Sequence, residues 1–219
     1  MPIPLILQVQ NPFVQYDGTG VVFGVQVQDQ KTLLHSVKLF DARAYENGPF
    51  QDIVPDYPVL NAAVHKGMIV AGNEAPSKAA ISAMLNATWS SFHFSPDGLH
   101  ILVNTTSDLM LVLDGYKEDV EPIAICGRKN DTGAPLGACF SADAKYILAG
   151  NEDSEVQIYE KNSGKLTNTL TGHVDAVSCV AANPQYNVVA SSCLNTVLWI
   201  PGGSDTTPDE KSAEEMDHN

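Results

Sequence analysis

The sequence is short of positive charge: its 219 residues contain 12 Lys and Arg against 26 Asp and Glu, for a formal net charge of −14. Neutralising a nucleic-acid backbone takes clustered Lys and Arg. The adjacent pair Arg128-Lys129 is too small a cluster for that, which argues against direct nucleic-acid binding. An acidic surface suits basic protein partners, and it serves solubility equally well. Long apolar runs are also missing. With no stretch of about 18 apolar residues, a membrane span is not expected. The opening MPIPLILQVQ is apolar but has neither a basic flank nor a small-residue cleavage site, so it reads as a strand rather than a signal peptide and the chain as intracellular.

Cysteine is sparse and unclustered. Cys126, Cys139, Cys179 and Cys193 form no C-x-x-C pair, and buried free thiols fit better than a zinc site. The histidines other than His173 (His35, His65, His93, His100 and His218) are scattered and show no metal-like spacing. No nucleophile elbow, phosphate-binding loop or dinucleotide fingerprint follows a strand. The sequence makes no positive case for an enzyme or for a cofactor.

What the sequence does contain is a repeat. LGACFSADAKYILAGNEDSEVQIYE and VSCVAANPQYNVVASSCLNTVLWIPG both read as an apolar strand, a polar turn, an apolar strand ending in small residues, a second turn, and an alternating strand closing on an aromatic. Three markers give nearly the same period. Cys139 and Cys179 are 40 residues apart, Tyr159 and Trp199 are 40 apart, and Asp143 and Gln185 are 42 apart. A period of about 40–45 residues with a Gly-His pair between units is the signature of a WD-type propeller of four-stranded blades. Gly172-His173 supplies that pair.

The remaining sequence fits the same template. LILQVQ (5–10) reads as an outer strand, PFVQY and VVFGVQV as the next two, and SVKLFD as the close of repeat one, with QDQKTLLH as a protruding loop. Repeat two is TWSSFHFSPDGLHILVNTTSDLMLVLDG, whose Ser95-Pro96-Asp97-Gly98 has the residue preferences of a type I turn. Asp97 to Asp143 is 46 residues, whereas Asp17 to Asp97 is 80. The excess reads as a long insertion at about 55–85, with one strand in HKGMIV followed by a short helix. The expected layout is therefore a partial propeller over 1–201 and a disordered acidic tail over 202–219, which carries six acids and one lysine. Repeat four has three strands, so residues 5–10 either close a four-bladed ring or hang at an open edge.

His173 is the histidine that most invites a catalytic reading. In WD repeats this residue joins a hydrogen-bonded network with a turn acid, a strand hydroxyl and the closing Trp, because polar groups buried without partners cost about 1–3 kcal/mol each. The expected structural network is His173, Asp153, Ser191, Ser192 and Trp199. In repeat four Cys193 stands where the turn acid belongs.

FDARAYENGPF (40–50), GNEDSEVQIYEKNSGK and VVASSCLNTVLWIP carry a more specific likeness. They resemble the WD-repeat subunit family shared by COMPASS-type histone lysine methyltransferases and, in fungi, by the cleavage and polyadenylation factor. The resemblance spans residues 5–201 outside the loops. It implies a seven-bladed propeller, of which about four blades are accounted for here, so the chain is N-terminally incomplete relative to that family. It also implies a non-catalytic nuclear scaffold. The implied partners are methyltransferase-complex subunits, the phosphorylated RNA polymerase II tail and mRNA 3′-end processing factors. Two alternatives stand beside it: a generic adaptor, for example in ubiquitin ligation or ribosome assembly, and a truncated form without independent function.

Overall fold

The computed structural model describes residues 12–73, 75–117 and 120–202. The tail from 203 and the LILQVQ segment lie outside the described residues, and with them the two readings placed there. The first sheet is β1 (Phe13–Tyr16), β2 (Val22–Gln28), β3 (His35–Asp41) and β4 (Gln51–Ile53), hydrogen-bonded in that order. Two helices follow, α1 (Tyr57–Val70) and α2 (Lys78–Leu85). The second sheet is β5 (Trp89–Phe94), β6 (His100–Thr105), β7 (Met110–Asp114) and β8 (Ile123–Ile125). The third is β9 (Ala138–Phe140), β10 (Tyr146–Gly150), β11 (Glu155–Glu160) and β12 (Leu166–Thr171). The fourth has, among the described residues, three strands, β13 (Cys179–Ala182), β14 (Val189–Ser192) and β15 (Thr196–Trp199).

Every strand pair is antiparallel, and the first strands of successive sheets (β1, β5, β9, β13) neighbour one another. These are four blades of a WD-type β-propeller, the all-β class read from the repeats. The blade turns follow the sequence closely. In the second blade the Gly98 N–H donates to the Ser95 carbonyl at 2.9 Å, and the His100 N–H donates to Ser95 Oγ at 2.9 Å. In the third, Ala144 donates to the Ser141 carbonyl at 2.9 Å and Tyr146 to Ser141 Oγ at 3.0 Å.

The blades are held by apolar layers between them. Period-two alternation along β2 and β3 turns Val22, Val37 and Leu39 towards the second blade, where they meet Phe92, Ile101 and Val103. Phe13 stands edge-on to Phe92 with centroids 5.4 Å apart. Leu102, Met110, Ile125, Phe140 and Ile147 fill the second-to-third layer, and Leu148, Val156, Val177 and Val180 the third-to-fourth. Each large side chain buried in this way contributes about 1.5–3 kcal/mol.

Three sequence expectations are corrected. HKGMIV is not a strand but the end of α1. Pro58 in the first turn suits a helix start, and Ala63, Val64, Gly67 and Met68 recur at helical spacing on the buried face. Gly67 seats that helix on β8: a Cβ there would stand 2.4 Å from the Ala124 carbonyl oxygen, so only glycine allows the approach. Next, the first blade takes its outer strand from GPFQDIV, as β4, a segment the repeat template assigned to the interval between repeats. Finally, the four thiols are free but not uniformly buried. Cys126 is buried, Cys139 and Cys193 are intermediate, and Cys179 is exposed. Cys179 occupies the sheet face turned away from the third blade, opposite to that of Val180.

Candidate functional site

The polar centre of the fourth blade lies where the loop after β12 meets β14, β15 and the turn between them. Gly172 crosses over the Trp199 ring so closely that a Cβ would stand 3.2 Å from it. His173 follows and is buried, as is Ser191, which alternation on β14 turns inward. Trp199 Nε1 donates to Ser191 Oγ at 2.7 Å, and Ser191 Oγ is 2.6 Å from His173 Nε2. The indole N–H donates, and the Ser191 hydroxyl, with one proton and two lone pairs, meets Nε2 as donor or acceptor according to the imidazole tautomer. The other ring nitrogen is Nδ1. It faces Cys193 Sγ at 3.2 Å and Asn195 Oδ1 at 3.3 Å. The Cys193 thiol points at Asn195 Oδ1 at 2.8 Å.

Of the residues singled out from the sequence, the structure brings His173, Ser191 and Trp199 into one chain of hydrogen bonds. Asp153 lies elsewhere, on the surface, and accepts from Lys129 Nζ at 2.7 Å. Ser192 points to the opposite face of β14, with its hydroxyl 3.3 Å from Thr196 Oγ1. Sequence reading noticed Cys193 only as a gap in the network and overlooked Asn195. The signal for Asn195 was its place two residues along the same tight turn.

The environment of Cys193 favours a thiolate. Partial burial works against the charged form. The backbone N–H groups of Asn195, Val174 and Asp175, together with His173, outweigh that penalty and bring the thiol down to about 7. For Cys126 and Cys139, burial dominates and pushes the thiols up to about 12.

A second polar centre lies in the loop between the second and third blades. Arg128 follows Gly127 as His173 follows Gly172, and it reaches back to the β6–β7 turn. Its Nη2 donates to the carbonyls of Thr105 and Ser107 at 2.9 and 3.1 Å. The guanidinium is fully buried, beside Tyr159 and Asp108, and desolvation lowers it to about 10 despite those neighbours. Its Nε and Nη1 have no hydrogen-bond partner among the described residues. Sequence reading weighed Arg128 only as half of a basic pair. Its position after a glycine, 45 residues before His173, was the available signal.

Among the described residues, no group of three or more His, Cys, Asp or Glu is placed to hold a metal ion, and no helix is long and apolar enough to cross a membrane. On the rim, a cleft of about 440 Å³ opens between β4, the start of α1 and the end of β7, lined by Val54, Asp56, Val59 and Asp114 among others. The outward face and end of the fourth blade expose Leu194, Leu198 and Ile200, at 83%, 63% and 71%.

Comparison with known proteins places these features in a WD-repeat setting. The family description "WD domain, G-beta repeat" matches residues 164–200, the stretch that contains the His173 network. The chain is similar to WD repeat-containing protein 82 of Drosophila melanogaster, 28% identical over 193 residues, covering 87% of this chain and 50% of that protein. It is similar to Protein ANTHESIS POMOTING FACTOR 1 of Arabidopsis thaliana, 25% identical over 198 residues, covering 90% and 49%. A shorter stretch is 41% identical over 68 residues to GID complex subunit 7 of Schizosaccharomyces pombe, covering 29% of this chain and 13% of that protein. The chain spans about half the length of the first two relatives.

Proposed function

We propose that the chain is a non-catalytic WD-repeat adaptor, and that it serves in a nuclear histone lysine methyltransferase assembly of the COMPASS type. The observation that carries the reading is the match to WD repeat-containing protein 82 across 87% of the chain. It coincides with the COMPASS-type likeness of FDARAYENGPF and VVASSCLNTVLWIP. The His173 network supports the non-catalytic part, because every polar atom in it is engaged in holding β14 and β15 to the preceding loop. The exposed Leu194, Leu198 and Ile200 supply an apolar face of the kind that further blades or a partner protein cover. The rim cleft adds Asp56 and Asp114 for a basic partner. The mRNA 3′-end machinery and the phosphorylated polymerase tail are partners of the same reading, drawn from the same likeness.

A second reading is an adaptor in a different assembly, and the match to GID complex subunit 7 favours it. Affinity purification of the tagged chain from its own cells, followed by mass spectrometry and a histone lysine methyltransferase assay, separates the two. Methyltransferase subunits with activity are the expected result. A reproducible set of subunits from another assembly favours the second reading, and chaperones alone remove both.

A further inference from the structure

We propose that the surface shared by the β2–β3 loop, the end of β4 and the first turn of α1 docks a short protein segment that carries large apolar side chains with Lys or Arg beside them. Three clefts open there, of about 440, 610 and 460 Å³, and they share walls. Asp52 and Val54 line the first and second, Pro55 the first and third, and Leu34 the second and third. Apolar side chains stand out along them: Leu33, Leu34, Val54, Tyr57 and Val59 are each between 38% and 61% exposed. Such residues scattered singly are ordinary, whereas a contiguous group of them marks an interaction site.

The loop holds two of these side chains rigidly. Leu33 has φ 59°, in the left-handed region where glycine is at ease and a bulky residue is not. Asp29 fixes that shape: its Oδ1 accepts from the N–H groups of Lys31 and Thr32 at 2.9 and 2.7 Å, and its carbonyl accepts from the Leu33 N–H at 2.9 Å. A strained residue held by its surroundings points to a use for the loop tip beyond closing the hairpin.

The charge of the occupant follows from the first cleft. Asp52, Asp56 and Asp114 line it against one cation, Lys117. Asp52 is paired with Lys38, and Asp114 accepts the N–H groups of Tyr116 and Lys117 at 2.9 Å. Among the described residues neither Asp56 nor Asp114 is in an ion pair, and the Asp56 side chain makes no capping bond to α1. In the second cleft Lys31 and Lys38 are balanced by Asp29 and Asp52, so the surplus negative charge sits in the first. On a chain of net charge −14, a basic segment is steered to this surface and an acidic one repelled.

A protein segment as occupant rests on the adaptor reading, but the test uses the purified chain alone and can fail while co-purification succeeds. Random dodecapeptides displayed on phage are panned on the folded 1–219 chain, and the enriched sequences are expected to combine large apolar residues with neighbouring Lys or Arg. The most enriched peptide is then made synthetically and its affinity read by fluorescence anisotropy. Leu34→Ser with Val54→Ser is expected to weaken it roughly 10-fold or more, and Asp56→Asn about 3-fold with a shallower salt dependence. Leu33→Gly is expected to weaken it about 3-fold while the melting temperature holds or rises, since glycine relieves the strain at that φ. Leu198→Ser on the fourth blade is expected to leave it unchanged. Hydrogen exchange of the parent chain, which needs no variant, is expected to slow at 29–34 and 51–59 when the peptide binds. No enrichment, acidic enriched sequences, protection confined to other segments, or an affinity that ignores Leu34 and Val54 overturns the proposal.

Discussion

The second and fourth blades meet the same demand with opposite chemistry. In each, a loop between two blades is tied to the far end of a second strand: the loop after β12 reaches forward to the fourth blade, and the loop after β8 reaches back to the second. In the fourth blade His173 ties to a serine hydroxyl and through it to Trp199, by bonds of 2.6 and 2.7 Å that use imidazole Nε2 and the indole N–H. In the second, Arg128 ties to two backbone carbonyls and buries a whole guanidinium, leaving Nε and Nη1 unmatched among the described residues. The difference shows that a loop between blades can be tied down by quite different side chains. A latch made of neutral groups with every donor matched is cheap to bury. A guanidinium costs desolvation, which its two bonds to the carbonyls of Thr105 and Ser107 and the burial of its long stem offset.

The contrast breaks hardest at Arg128. Arg128→Ala removes the stem and strands two carbonyls, and is expected to lower stability by about 3 kcal/mol, read from the urea midpoint. Arg128→Met keeps the volume and removes the unmatched donors, and is expected to stay within about 1 kcal/mol of the parent. Equal losses in the two variants would mean that the charge, not the stem, holds the blade.

At Ser191 the other latch fails in the middle. Ser191→Ala leaves His173 Nε2 and Trp199 Nε1 without their shared partner, and is expected to cost about 2 kcal/mol. Because repeat units open locally, amide exchange across 189–199 should speed up roughly 30-fold, the factor that free energy implies, while 100–114 stays protected. Exchange rising equally in both blades would show that the latch is global.

Cys193→Asp sharpens the comparison in the other direction. It places a carboxylate beside His173 Nδ1, where sulfur now stands 3.2 Å away, and is expected to add about 1 kcal/mol. A loss on that substitution would show that the turn has adapted to sulfur.

The smallest effect is a pH dependence whose sign differs between sites. A thiol lowered in the folded state adds stability above its unfolded value, near the ordinary thiol range, and loses it as pH falls towards about 7, so Cys193 favours the fold increasingly from pH 7 to 9. Cys126 and Cys139, raised to about 12, act the other way. The unfolded chain gives up those protons first, and stability declines as pH climbs from about 9 towards 12. Urea midpoints at pH 7, 9 and 10.5, with Cys193→Ala for comparison, should show the first slope vanish and the second persist.

Much of the blade architecture was legible because it is periodic. Alternation at period two and turns such as SPDG and SADA mark strands locally, and the 40-residue spacing of Cys139 and Cys179 set the blades in register. The helices at 57–85 were half legible. HKGMIV carries β-branched residues that suit a strand, and only its burial against Ala124 and Cys126 of the second blade shows which period governs it. β4 was missed because three residues are too few to carry a pattern. At the site, His173, Ser191 and Trp199 could be read from the repeat template, since each holds a fixed place in a repeated unit. Asp153 and Ser192 could be read into the network just as readily. Which face of β14 a serine takes is settled by register, and register puts Ser191 inward and Ser192 outward.

By itself the sequence determined the class of structure, the repeat unit and the residues competent to latch it, because these follow from local backbone preference and hydrophobic period. Tertiary structure alone decided that Arg128 is a buried latch rather than half of a surface basic pair, that α1 caps a blade through Gly67, and that Cys193 Sγ stands 3.2 Å from His173 Nδ1. Burial, desolvation and hydrogen-bond geometry depend on residues distant in the chain, and their magnitudes exist only once those residues meet.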